Sequence, residues 1–113
     1  MEENYSPSLY RRSYERFLMS IWAEISVIKE NLEKRVILKD LSARGAGVVC
    51  SYPIALNEKV VIMIKALFSD EPVNREAKVV WCKKIKENLW QAGLDFGLDN
   101  KIELKGLFPN KLR

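Results

Sequence analysis

The sequence contains no histidine. That removes Ser-His and Cys-His nucleophile pairs, the commonest general base, and most zinc sites. It has only two cysteines, Cys50 and Cys82, and they do not form a Cys-x-x-Cys pair. Thiolate metal cages and dithiol redox motifs are excluded with it. Both cysteines lie in apolar stretches and read as small buried hydrophobes in a reducing cytoplasm. No apolar run approaches the ~20 residues of a membrane-spanning helix. The opening Met1-Glu2-Glu3 carries no apolar export core, so the expected location is the cytoplasm. No nucleophile–base pair and no carboxylate cluster is visible, so an enzyme is not expected.

What remains is an ordinary globular composition. Of 113 residues, 48% are hydrophobic and 30% charged, which suits one domain with a real core. Surface scaling for that length buries about two thirds of the open chain. Lys plus Arg outnumber Asp plus Glu by 19 to 15, a net +4. The pI near 9.1 fits an anionic ligand or partner without requiring nucleic acid.

Residues 1–10 are polar and aperiodic and read as a flexible arm, with one folded domain over 11–113. From Phe17 the pattern alternates. Phe17, Met19, Ile21, Ala23, Ile25 and Val27 share one side of a long strand. Lys29-Glu30-Asn31 is a turn, Arg35–Leu41 a second strand, Ser42–Gly45 a tight turn and Gly47–Ser51 a third strand. Lys59–Phe68, Arg75–Ile85 and Leu89–Leu98 complete six, separated by turns at 69–72 and 86–88. Asn100 is placed to cap a short C-terminal helix through Leu107. Short connections with no helix between strands mean an antiparallel all-β fold. At this size the sheet closes into a barrel or folds into a sandwich, which hides its edges.

Two constellations stand out. The first is Arg11-Arg12-Ser13-Tyr14-Glu15-Arg16, just before the first strand. Arg12 and Arg16 are four apart and face one way on a helix or a strand. Their planar forks can grip phosphate oxygens and a guanine edge, or simply form a solvated basic face. The second is Asp40-Leu41-Ser42-Ala43-Arg44-Gly45. In one reading it is only a turn, with Asp40 and Ser42 bonding local amides and Gly45 supplying a positive φ. In the other, the Asp40 carboxylate accepts both N–H donors of a guanine Watson–Crick edge, beside the Ser42 hydroxyl. Gly45 then lets a flat base approach the backbone. Adjacent antiparallel strands set the start of one beside the end of the next, so the two clusters should meet at one rim.

This arrangement resembles the PilZ domain, the bacterial receptor for cyclic di-GMP. The matching segments are Arg12 and Arg16 (Arg-x-x-x-Arg), with Arg11 before them, and Asp40, Ser42 and Gly45 (Asp-x-Ser-x-x-Gly). The strand Ala77–Trp81 and the Gly-x-Asp-Phe of Gly93–Phe96 are also similar, so the resemblance spans about residues 10–98. It implies a six-stranded antiparallel barrel, to which the residues themselves add a flexible N-terminal arm and a short C-terminal helix. It implies an effector whose ligand is cyclic di-GMP. Arg12 and Arg16 would bind phosphates and guanine edges, Asp40 and Ser42 would read a guanine, and Gly45 would allow close approach. Arg11 would influence whether one ligand or a stacked pair binds. Trp81 shares a strand face with Ala77 and Val79 and reads as core, yet in some members the matching aromatic lies beside the ligand. Lys83, Lys84 and Lys86 read as a solvated strand end that could widen the positive field.

The expected signal is ligand-induced ordering of the arginine segment, read by a downstream protein. No cofactor, membrane insertion or nucleic acid is expected, and the chain should be a monomer or weak dimer. Two alternatives remain open on the residues. One is a small basic barrel that binds single-stranded nucleic acid. The other is a PilZ-like protein-interaction module without a nucleotide.

Overall fold

A computed structural model describes residues 16–65 and 71–102. The expected arm (residues 1–10) and the segment holding Arg11 and Arg12 lie outside them. Six strands form: β1 (Arg16–Val27), β2 (Leu32–Ser42), β3 (Gly45–Cys50), β4 (Lys59–Ile64), β5 (Val73–Lys86) and β6 (Leu89–Asp95). They close into an antiparallel barrel in the order β1-β2-β3-β6-β5-β4. Closure satisfies the ladder hydrogen bonds that an open sheet would leave at its edges.

The alternation read from the sequence becomes the barrel interior. Ile25, Val36, Leu38, Leu41, Val48, Val60, Ile62, Ile64 and Val79 are fully buried. Leu38→Ala-type truncations at such positions remove both transfer free energy and packing. Along β1 the expected apolar face divides in two. Ala23, Ile25 and Val27 are buried, whereas Phe17, Met19 and Ile21 are only half-buried. The cause is pairing: β4 covers β1 only from Ala23 to Val27. Tight connections fall where asparagines sit. Asn31 (φ 51°) and Asn88 (φ 62°) adopt the left-handed conformation that asparagine tolerates better than most residues.

The strand ends differ from the sequence expectation. β4 runs over Lys59–Ile64, and positions 66–68 of the strand expected there lie outside the described residues; β6 ends at Asp95 rather than Leu98. The expected C-terminal helix from Asn100 is not found among the described residues. Gly97, at φ 87°, turns the chain into a single 3-10 turn, Leu98–Asn100, and Lys101 is already extended. Asn100 does not cap a helix; its side-chain amide donates to the Glu76 carbonyl at 3.1 Å. Tertiary bonds take precedence over the local capping signal. The Phe96 N–H donates to the Arg44 carbonyl at 2.7 Å and the Ile102 N–H to the Ala43 carbonyl at 2.8 Å, strapping this segment across the β2–β3 turn.

Both cysteines are free thiols; Cys50 is buried and Cys82 half-buried. Burial, with Cys82 nearby, pushes the Cys50 thiol up from 9.0 to about 11. Burial, with Cys50 nearby, pushes the Tyr52 phenol from 10.0 to about 12. Each group therefore ionises more readily in the unfolded chain. Their contribution to stability is complete below pH 9 and declines as pH rises through about 11 and 12. Denaturant melts across that range should show stability falling, and Tyr52→Phe should make the fall shallower above pH 10. A fall of unchanged steepness in Tyr52→Phe would refute the assignment.

Candidate functional site

On the outer wall of the barrel, one row crosses five strands. Leu18 on β1 lies opposite Asp40 on β2, Asp40 opposite Gly47 on β3, Gly47 opposite Gly93 on β6, and Gly93 opposite Trp81 on β5. The two glycines in the middle leave no side-chain bulk. Asp40 and Trp81 lean into that space from either side. A Cβ on Gly47 would lie 2.6 Å from Asp40 Oδ2, and a Cβ on Gly93 would collide with the Trp81 indole at Nε1, Cε2 and Cδ1. The row is thus a trough with a backbone floor.

Two β-bulges aim the walls of this trough. The ladder between β2 and β3 slips between Leu38 and Asp40. Leu38 points into the core, and at period two Asp40 would follow it there. The extra residue, Lys39, turns the carboxylate outward instead. The ladder between β5 and β6 slips in the same way between Val79 and Trp81. Val79 is fully buried, and Trp81, which alternation assigns to the same face, comes out onto the trough half-buried. The core reading of Trp81 is therefore corrected: it opposes Gly93, on the outer face.

A cavity of about 540 Å³ occupies this trough, and Arg16, Asp40, Ser42, Gly45 and Trp81 all line it. The two sequence clusters do meet: Arg16 Nη1 lies 2.6 Å from Asp40 Oδ1 across 24 residues of chain. Arg16 heads β1 directly opposite Ser42, so the antiparallel ladder alone brings them side by side. Ser42 is buried and closes the turn. Its hydroxyl accepts from the Gly45 N–H at 3.1 Å and reaches the Gly45 carbonyl at 3.4 Å. Gly45 is needed for a reason other than the one its turn suggested. Among the described glycines only Gly97 has a positive φ. At Gly45 a Cβ would stand 2.5 Å from the Leu94 carbonyl oxygen, so the close approach is to β6 itself. Arg11 and Arg12 cannot be placed, since they lie outside the described residues.

Among the cavity residues, Arg44 and Gln91 carried no role in the sequence reading. Arg44, an unassigned position of the turn, donates from Nε to Asp95 Oδ1 at 3.0 Å. The same oxygen accepts from the Gly97 N–H at 3.2 Å, so Asp95 joins the cavity wall to the bend that ends β6. Arg44 and Asp95 are 51 residues apart, and no local spacing signals their pairing. Gln91 and Lys83 line the other end. The cavity therefore combines cationic groups, two carboxylates, a hydroxyl and an indole face around a flat floor. That set suits an anionic, planar, hydrogen-bonding ligand. Among the described residues, no group of three His, Cys, Asp or Glu is placed to hold a metal ion, and no helix is long and apolar enough to cross a membrane.

Comparison with known proteins bears on this geometry. The inhibitor of motility of Bacillus subtilis (MotI/DgrA) superposes with a TM-score of 0.65 at 19% identity, over 90% of this chain and 48% of that one. The PlzA protein of Borreliella burgdorferi, solved in complex with c-di-GMP, superposes with a TM-score of 0.58 at 18% identity, over 95% of this chain and 39% of that one. The chain thus spans about half or less of these solved chains, and at such identities the likeness shows a shared fold. A search among curated proteins finds no match. The family model of the PilZ domain matches residues 10–108, and on that match, over a barrel with the expected strands, this chain belongs to the PilZ family.

Proposed function

We propose that this chain is a cyclic di-GMP receptor that works through a partner protein. The observation that carries the reading is the Arg16–Asp40 pair, 2.6 Å apart in one cavity with Ser42 and Trp81. Support comes from the chain's PilZ membership and from the c-di-GMP bound in the similarly folded PlzA. In the free protein each member of the pair neutralises the other. A dinucleotide offers both a better partner. The Arg16 fork turns to a phosphate or to guanine O6 and N7, and the Asp40 carboxylate accepts the guanine N1–H and N2–H. Ser42 adds a hydroxyl beside it, Gly45 keeps that turn tight against β6, and the Trp81 face stacks on a base. Arg11 and Arg12 close over the ligand from the segment before β1, and this ordering is the signal a downstream protein reads. The activity is recognition rather than catalysis, and it needs no cofactor.

Isothermal titration calorimetry should give a micromolar or tighter constant for cyclic di-GMP, with GTP much weaker. Trp81→Ala should weaken it roughly 5- to 150-fold, the range for losing one base–aromatic stack. Hydrogen exchange at residues 5–16 should slow in the complex. A folded wild-type protein that releases no heat with the ligand would overturn the receptor reading.

A further inference from the structure

We propose that Lys83 and Gln91 form the second end of the same ligand site, holding the half of the dinucleotide that Arg16 and Asp40 do not reach. The inference rests on the receptor reading above. Lys83 on β5 and Gln91 on β6 are direct cross-strand partners, and both line the cavity. They sit one ladder step from Trp81 and Gly93: the residues two along each strand point to the same outer face. The slip at Val79/Trp81 that brings the indole outward brings Lys83 with it.

The neighbouring lysines are differently disposed. Lys84 takes the opposite face, with its Nζ 3.1 Å from Glu87 Oε1 and 5.7 Å from the Trp90 ring centre. Lys86 lies beside the hairpin, opposite Leu89, and does not line the cavity. Lys83 alone of the three both faces the trough and has no ion-pair partner among the described residues. Its ammonium is available for an anion, and the Gln91 amide can both donate and accept beside it.

The layout of the two ends selects the ligand. From β2, which carries Asp40, to β5, which carries Lys83, are three interstrand gaps, about 14 Å at ~4.8 Å each. One end has a guanidinium and a carboxylate, the other an ammonium and an amide, and the indole lies between them. A single purine nucleotide engages one end. A molecule with two purine-and-phosphate halves engages both. The symmetric dinucleotide matches that repetition, and its two phosphates match the two cationic ends.

The test compares cyclic di-GMP affinity by calorimetry in the wild type, Lys83→Ala, Lys83→Arg, Gln91→Ala and Lys86→Ala, each checked for an unchanged thermal melt. Lys86→Ala removes the same charge outside the cavity. Lys83→Ala should weaken binding roughly 10-fold, the lower range for a hydrogen bond to a charged group. Gln91→Ala should cost roughly 3-fold, and Lys83→Arg should retain most of the affinity. Lys86→Ala should bind as the wild type does. Unchanged affinity in Lys83→Ala overturns the inference and leaves the receptor reading intact. An equal loss in Lys83→Ala and Lys86→Ala also overturns it, because the effect is then a diffuse field rather than a contact. Absence of binding by the wild type overturns both.

Discussion

Arg16→Ala and Asp40→Ala should each weaken cyclic di-GMP binding roughly 10- to 150-fold, the equivalent of about 1.5–3 kcal/mol for a hydrogen bond to a charged group. Stability should hardly change. The Arg16 and Asp40 side chains are 33% and 16% exposed, so water still reaches the arginine, and such partly exposed rim pairs contribute about 1 kcal/mol or less. The contrast between the two readouts is the argument. If the pair were only a strut between β1 and β2, its loss would appear in the melt and not in the binding isotherm. If it is a ligand site held in reserve, the reverse holds. Arg16→Lys separates charge from shape, since an ammonium keeps the charge but lacks the planar fork. It should recover only part of the affinity. Calorimetry with parallel thermal melts decides the matter, and full binding by both alanine variants would remove this cavity from consideration.

Gly93→Ala should damage the trough from its floor. The added methyl carbon would overlap the Trp81 indole at three atoms, so ring or backbone must move. Overpacking of this kind costs about 1–3 kcal/mol, a fall in melting temperature of roughly 4 to 13 °C for a domain of this size. The indole can escape only outward, because Val79 and Leu94 fill the core side of the same ladder. Tryptophan emission should therefore shift to the red, and ligand affinity should fall with the displaced stacking face. The Gly93→Ala/Trp81→Ala double variant supplies the control. With the indole gone the added methyl meets nothing, so Gly93→Ala should cost much less in that background. Additive losses in the double variant would show that glycine serves β6 itself and not the tryptophan.

The reach of the sequence differs between strand and site. The strands were legible because hydrophobic alternation is a local, repeating signal. Phe17–Val27, Arg35–Leu41 and Arg75–Ile85 all fall within observed strands. Their ends were less so. Asn100 carries a capping residue's identity, yet its amide bonds the Glu76 carbonyl and the chain extends at once toward Ile102. A capping signal is worth about 1 kcal/mol and yields to bonds from distant strands.

In the site, Arg16, Asp40, Ser42 and Gly45 could be named from spacing, because an antiparallel pair sets the head of one strand against the tail of the next. The local physics of the turn was also there to read, although Gly45 answers to the Leu94 carbonyl and not to a positive φ. What the residues by themselves determined is an antiparallel all-β architecture and the identity of an arginine cluster and an Asp-x-Ser-x-x-Gly turn at adjoining strands. The tertiary structure decided which way the key side chains face. Alternation assigns Asp40 to the side of Leu38 and Trp81 to the side of Val79, both core positions. A bulge in each ladder reverses the assignment. A bulge is a property of two paired strands, since it exists only where one contributes an extra residue against the other. The same holds for Arg44 with Asp95 and for Lys83 with Gln91, which meet only once β3, β6 and β5 have found their register. Register is fixed by closure of the whole barrel, and so the face proposed to bind becomes visible only after the fold is complete.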